Sequence, residues 1–223
     1  MSLVLLLSLT AVATDFQTKH TLYVGCPETL SYIQLTDAVA AAKPYTLIKV
    51  CPGQYEGGSV SSTDYLKIKG VGKSGSAVVD CNLGGNSGIV LNGKYNWVDN
   101  LEVNNCSNPI YFGIYSNNNS NRVSNSIFNN DWNAVFIVDC DGCQVTNNKF
   151  TEANTAIYDY TTTENVINGN LITSCAWYRG TSVLPAVRLL SCITFSITLE
   201  RLCSTSSDLP KEAGRGGGIA GEL

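Results

Sequence analysis

The sequence predicts an all-β fold, a right-handed single-stranded parallel β-helix with a short N-terminal capping helix. Two observations carry this expectation. The first is an internal repeat with a period of roughly 22 residues, the signature of a stacked architecture. Gly88-Ile89-Val90-Leu91, Gly113-Ile114-Tyr115, Ala134-Val135-Phe136 and Ala156-Ile157-Tyr158 each open a segment that closes on Val-x-Asn, with an apolar residue three positions later. The closing copies are Val98/Asn100/Val103, Val123/Asn125/Phe128, Val145/Asn147/Phe150 and Val166/Asn168/Leu171. The second observation is that all 22 Asn lie between Asn82 and Asn170, the stretch that carries the repeat.

Each segment is too short to bury its own apolar face, and its period-2 alternation marks strands. Stacking one coil on the next buries the alternate Val, Ile, Phe and Leu in a shared core. Asn tolerates the left-handed backbone of a tight corner. Asn100, Asn125, Asn147 and Asn168 are therefore expected to form one column, with side chains able to hydrogen-bond as a ladder. Upstream, Thr21-Leu22 to Cys26 matches Thr46-Leu47 to Cys51 at an offset of 25. Between them Ile33, Ala38, Val39 and Ala42 sit at near-helical spacing before Pro44, which suits a short helix capping the open end of the coil. Leu66 to Val71 and Val78 to Cys81 supply a further rung.

The first residues read as a secretion leader. An apolar run from Leu3 to Val12 precedes the small-x-small sequence Ala11-Val12-Ala13, giving cleavage after Ala13 and a leader over 1–13. The run is too short for a membrane span. Nine Cys fit an oxidising compartment, hence a secreted or cell-surface location. Cys26/Cys51 and Cys81/Cys106 each lie 25 residues apart at matching positions, and two readings stay open: disulfides between rungs, or stacked thiols. Cys140 and Cys143 form an isolated doublet that suits a structural disulfide or buried thiols better than zinc. The net charge of −4, with 14% charged residues and no basic stripe, argues against nucleic acid as a partner.

Ile33-Gln34, Ala38-Val39-Ala40-Ala41, Pro44 and Ile48-Lys49-Val50-Cys51-Pro52-Gly53-Gln54-Tyr55-Glu56 resemble the opening of right-handed β-helix proteins of the pectate-lyase-like superfamily. The later Val-x-Asn copies are similar to the parallel β-helix repeats of that superfamily, so the likeness runs from about Thr21 to Cys175. The resemblance implies the fold, and a polysaccharide or cell-surface glycan as partner. The same opening occurs in lyases, esterases, epimerases and adhesins, so it does not choose among activities. Relatives acting on acidic polysaccharides hold Ca²⁺ with clustered acids beside an Arg or Lys.

By that implication the candidate catalytic residues are Asp139, Asp141, Asp159 and Lys149. Arg122 is a second cation, and Asp131, Asp139 and Asp141 are the set a calcium ion would use. The competing reading makes Asp139-Cys140-Asp141-Gly142 an ordinary turn. With His20 the only histidine, a mechanism built on a His acid or base is not expected. Tyr95, Trp97, Tyr111, Tyr115, Trp132, Tyr158 and Tyr160 offer flat rings for stacking on sugars, or packing on neighbours. Asn105-Cys106-Ser107 and Asn118-Asn119-Ser120 are glycosylation sequons. Residues 176–223 contain no Asn and hold four of the five Arg, so the repeat is expected to stop near Cys175 and an atypical tail to follow. Two functions follow: a carbohydrate-active protein that binds or cleaves a polysaccharide along its side, or a non-catalytic adhesive or structural β-helix.

Overall fold

The computed structural model describes residues 18–27, 30–85, 87–106, 112–116, 120–160, 164–173 and 177–180, all within one compact unit. The leader at 1–13, Tyr111, the sequon at Asn118 and the tail beyond Gly180 lie outside these residues. The chain forms a right-handed parallel β-helix with three sheets. Sheet A holds β1 (His20–Val24), β2 (Thr46–Val50), β5 (Lys67–Gly70), β8 (Trp97–Asp99), β11 (Arg122–Ser124), β14 (Gln144–Thr146) and β17 (Val166–Asn168). Sheet B holds β3 (Gly53–Glu56), β6 (Ala77–Asp80), β9 (Glu102–Asn104), β12 (Ile127–Asn129), β15 (Lys149–Thr151) and β18 (Leu171–Thr173). Sheet C holds β4 (Ser59–Ser61), β7 (Ile89–Leu91), β10 (Phe112–Ser116), β13 (Asn133–Val138), β16 (Thr155–Tyr160) and β19 (Trp177–Gly180). The last of these extends the coil beyond Cys175.

Alternation decides what faces inward. Sheet A contributes the buried column Ile48, Ile68, Val98, Val123, Val145 and Ile167. Sheet B contributes Tyr55, Val79, Val103, Phe128 and Phe150, followed by the partly buried Ile172. Phe128 and Phe150 stack at 5.0 Å, which fills the wide part of the coil with parallel rings. The helix α1 (Leu35–Ala41) buries Leu35, Ala38 and Val39 in the same core and covers its N-terminal end. Ile33, expected on that helix, precedes it and is exposed.

The register corrects two sequence alignments. The fourth repeat is displaced by one residue: Ile167 pairs with Val145, and Ile172 with Phe150, while Val166 and Leu171 are exposed. Asn100, Asn125 and Asn147 do form a column of left-handed residues, with φ of 56°, 52° and 56°, but its fourth member is Gly169 at 67°. A Cβ on Gly169 would collide with the Asn147 side chain, so this position needs glycine for space as well as for φ. Near the start, Thr21 pairs with Leu47, so the strand offset is 26 and not 25. Cys26 and Cys51 still meet as a disulfide, as do Cys81 and Cys106, with Cα separations of 5.3 and 5.1 Å, and Cys140 bonds Cys143.

Corners share one device. A residue in the left-handed region turns the chain, and at several corners the residue after it sends a side-chain oxygen to a main-chain N–H of the preceding coil. Between sheets A and B, Ser126 N–H donates to Asn148 Oδ1 and Asn148 N–H to Asn170 Oδ1, both at 2.9 Å. Between C and A, Leu66 N–H donates to Asn96 Oδ1 at 2.8 Å, Asn96 N–H to Asn121 Oδ1 at 2.8 Å, and Cys143 N–H to Asn165 Oδ1 at 2.7 Å. The ladder expected of Asn100, Asn125 and Asn147 thus runs one residue further along. The second polar atom is also used: Asn148 Nδ2 donates to the Val123 carbonyl at 3.1 Å, and Asn170 Nδ2 to that of Val145 at 2.8 Å.

Between sheets B and C the same place is taken by Asp131. Its Oδ1 accepts the Cys106 N–H at 2.9 Å, but Oδ2 is buried without a partner. Burial holds this carboxyl well above the usual carboxylate range, against the opposing effect of the Cys106 hydrogen bond.

Two outcomes are expected. N148A, which leaves the Ser126 N–H unpaired in a buried corner and removes one bond to the Val123 carbonyl, should cost roughly 2 kcal/mol in urea unfolding. For Asp131, a folded pKa above the unfolded one means that the folded state holds more protons. Stability therefore falls as pH rises from the unfolded carboxylate value of about 3.9 towards the higher folded value. D131N should remove that slope, so its midpoint relative to wild type should rise between pH 4 and pH 8; an unchanged difference would refute the assignment.

Candidate functional site

The three outer faces differ in chemistry. On sheet B the outward rows read Gln54, Val78, Glu102, Ile127, Lys149, Leu171 and Glu56, Asp80, Asn104, Asn129, Thr151, Thr173. Amides there are tied to acids: Asn104 and Asn129 Nδ2 donate to Glu102 Oε1 at 2.8 and 3.1 Å, and Asn105 Nδ2 to Asp80 Oδ1 at 3.0 Å. On sheet C, Val60, Val90, Phe136 and Tyr158 share an outward row, and the last two rings stack at 4.5 Å.

Sheet A is different. Its outward rows are Thr21, Leu47, Lys67, Trp97, Arg122, Gln144, Val166 and Tyr23, Lys49, Lys69, Asp99, Ser124, Thr146, Asn168. Four cations, Lys49, Lys67, Lys69 and Arg122, thus lie on three of four consecutive strands, the remaining one carrying Trp97 and a carboxylate, in a chain whose net charge is −4. Trp97 organises them. Lys67 Nζ lies 3.2 Å from its ring centroid and the Arg122 guanidinium carbon 4.4 Å, from the strands on either side. The indole N–H donates to Ser124 Oγ at 2.7 Å, and Ser124 Oγ donates in turn to Asp99 Oδ1 at 3.0 Å. Asp99 is buried, accepts from Asn125 Nδ2 at 2.7 Å, and pairs with Lys69 at 3.9 Å. Burial lowers the Lys67 ammonium from its ordinary value; Asp99 opposes that shift, while Lys69 and Arg122 add to it.

The residues proposed from sequence are distributed over the coil. Asp159 pairs with Ile137 in an inward column, is 1% exposed, and accepts from Asn165 Nδ2 at 3.0 Å, so it belongs to the core side of sheet C. Lys149 is exposed on the outer face of sheet B. Asp139 and Asp141 are exposed in the connection from sheet C to sheet A, and Asp131 is the buried corner acid. Among the described residues, no three of His, Cys, Asp and Glu come close enough to hold a metal ion. Trp97, one of the rings offered for sugar stacking, has cations over its ring. Tyr95 is 46% exposed and Trp132 38%.

Sequence reasoning found Arg122 but missed Lys49, Lys67 and Lys69. The alternation Leu66-Lys67-Ile68-Lys69 was the available signal, since it puts both lysines on the face opposite the core.

No characterised protein sequence matches the chain closely enough to count as a relative. Among solved structures, a pectin methylesterase variant in complex with a hexasaccharide is similar at 13% identity, covering 71% of this chain and 70% of that one, with a TM-score of 0.46. The pectin methylesterase of Aspergillus niger is similar at 12% identity, covering 75% of this chain and 91% of that one, with a TM-score of 0.39. The family described as periplasmic copper-binding protein (NosD) matches residues 52–188, which is more than half of the chain and spans β3 to β19. The chain belongs to the NosD family.

Proposed function

We propose that this protein is an extracytoplasmic β-helix that binds an anionic polysaccharide along the outer face of sheet A. The observation that carries this reading is one face that holds Lys49 and Lys69 in one outward row and Lys67 and Arg122 on either side of Trp97 in the other. Like charges held together on successive strands repel one another, and a polymer with acidic groups along its length relieves that repulsion. A chain lying along the coil axis meets a new strand about every 4.8 Å, so its repeating acids find repeating cations. Three disulfides among the described residues, two of them between successive coils, support a compartment outside the cytosol, where glycans of this kind are met.

Binding is favoured over cleavage because general acid and base groups must converge on one bond. Asp139, Asp141, Asp159 and Lys149 lie on different sides of the coil, with Asp159 facing inward. Copper, which the family's description names, asks for imidazole, thiolate or thioether donors. The described residues do not fit it: His20 is the only histidine, and Cys26, Cys51, Cys81, Cys106, Cys140 and Cys143 are bound in disulfides.

The double variant K49Q/K69Q tests the reading, because it removes two cations and leaves the Trp97 sandwich in place. Affinity electrophoresis in polygalacturonate should show roughly tenfold weaker retention than for wild type, and wild-type retention should fall as salt is raised. Retention that is equal in both proteins, or equal in a neutral polymer, would sink the proposal.

A further inference from the structure

We infer that the open end of a tyrosine ladder beside this face, at Tyr95, is a stacking subsite for one pyranose ring of the bound polysaccharide; the inference rests on the glycan-binding reading above. Tyr45, Tyr65 and Tyr95 occupy the same corner of three successive coils. Their ring centroids are 4.6 and 4.9 Å apart, with 12° between planes at each step. At the N-terminal end the stack is closed by a cation, with Lys19 Nζ 4.6 Å from the Tyr45 centroid. At the other end the corner passes to Ser120 and then Gly142, whose side chains are too short to continue it, before reaching Glu164. A fourth flat ring laid on Tyr95 would sit level with Ser120, at the same spacing that the ladder already uses.

Backbone conformation gives the second argument. All three tyrosines hold left-handed φ values of 67°, 56° and 57°, a region that side chains other than Asn and Gly enter at a cost. Equivalent corners elsewhere in the coil are turned by Asn100, Asn125, Asn147 and Gly169, which bear that conformation more easily. Further along, the same corner is turned by Ser120 at 58° and Glu164 at 56°, so it is the stacked rings, and not the conformation alone, that set the three tyrosines apart. Mutual stacking accounts for Tyr45 and Tyr65, each with an aromatic or cationic neighbour on both sides. Among the described residues, Tyr95 has a ring on one side only, and it is 46% exposed, where its neighbours in the stack are half-buried.

Position supplies the chemistry of the ligand. The strand that follows Tyr95 carries Trp97, and the strand that follows Ser120 carries Arg122, both in the outward row nearest this corner. A sugar ring on Tyr95 thus lies beside the guanidinium end of the cationic face, and a uronate is the unit that uses both. The aromatic face takes the apolar C–H face of the ring, and the cation takes its carboxylate.

The experiment compares wild type, Y95A, Y95W and K49Q/K69Q for binding to a galacturonate oligosaccharide and to polyglutamate, a polyanion without sugar rings. Circular dichroism and thermal midpoints serve as controls for folding. Y95A should bind the oligosaccharide roughly tenfold more weakly and polyglutamate unchanged. Y95W should retain oligosaccharide binding and report it by a change in indole fluorescence that polyglutamate does not produce. Equal oligosaccharide affinity in Y95A and wild type, with K49Q/K69Q still impaired, would overturn the subsite and leave the charged face standing. Loss of binding in Y95A without recovery in Y95W would also overturn it. Absence of binding to either polyanion by wild type would remove the glycan-binding reading and the subsite together.

Discussion

The hydrogen bond across each corner is the constraint on which the coil depends. Three times per turn the chain must change direction between sheets, and a main-chain N–H can then be left between two coils where water cannot reach it. This protein satisfies such groups with a side-chain oxygen from the following coil, at Asn96, Asn121, Asn148, Asn165 and Asn170. Each turn is therefore completed by the next one, which explains why amides are concentrated where the repeat is strongest. It also explains a buried acid without invoking chemistry for it. Asp131 supplies the accepting oxygen that the corner requires, and its second oxygen carries the penalty of not being an amide.

Much of the fold was legible because a buried column needs the same kind of residue at each pass. Val98, Val123 and Val145 could be aligned by eye, and stacked strands confirm them. The fourth pass was misaligned for a local reason. Val166 and Ile167 are both branched, and Asn168 and Gly169 both tolerate a left-handed corner, so two registers fit the sequence and only strand pairing separates them. Asp159 shares its parity with Ile157, which points inward. A charged residue is seldom buried, but the rule yields where a partner such as Asn165 is supplied. The cationic face was hidden by distance along the chain: Lys49 and Arg122 are neighbours through the stack, three strands apart, though 73 positions separate 49 from 122.

A net charge of −4 describes none of the three faces well. Cations collect on sheet A, carboxylates and amides on sheet B, and apolar and aromatic side chains on sheet C. Parallel stacking makes this sorting possible, since a residue's outward row is repeated without change of direction along the whole array. A fold of this kind can hold opposite electrostatic characters within one coil, each set by the parity of a few strand residues.

The pattern of disulfides has a mechanical consequence. Cys26–Cys51 fastens the first strand's coil to the next, and Cys81–Cys106 fastens a later neighbouring pair, whereas Cys140–Cys143 closes a loop within one turn. Stacked arrays come apart by fraying from their ends, one nearest-neighbour contact at a time. Crosslinked turns can only detach in twos, so the staples and the helical lid make the front of the coil resist pulling and proteases. Among the described residues, the coils after Cys106 carry no disulfide from one coil to the next and lack that staple.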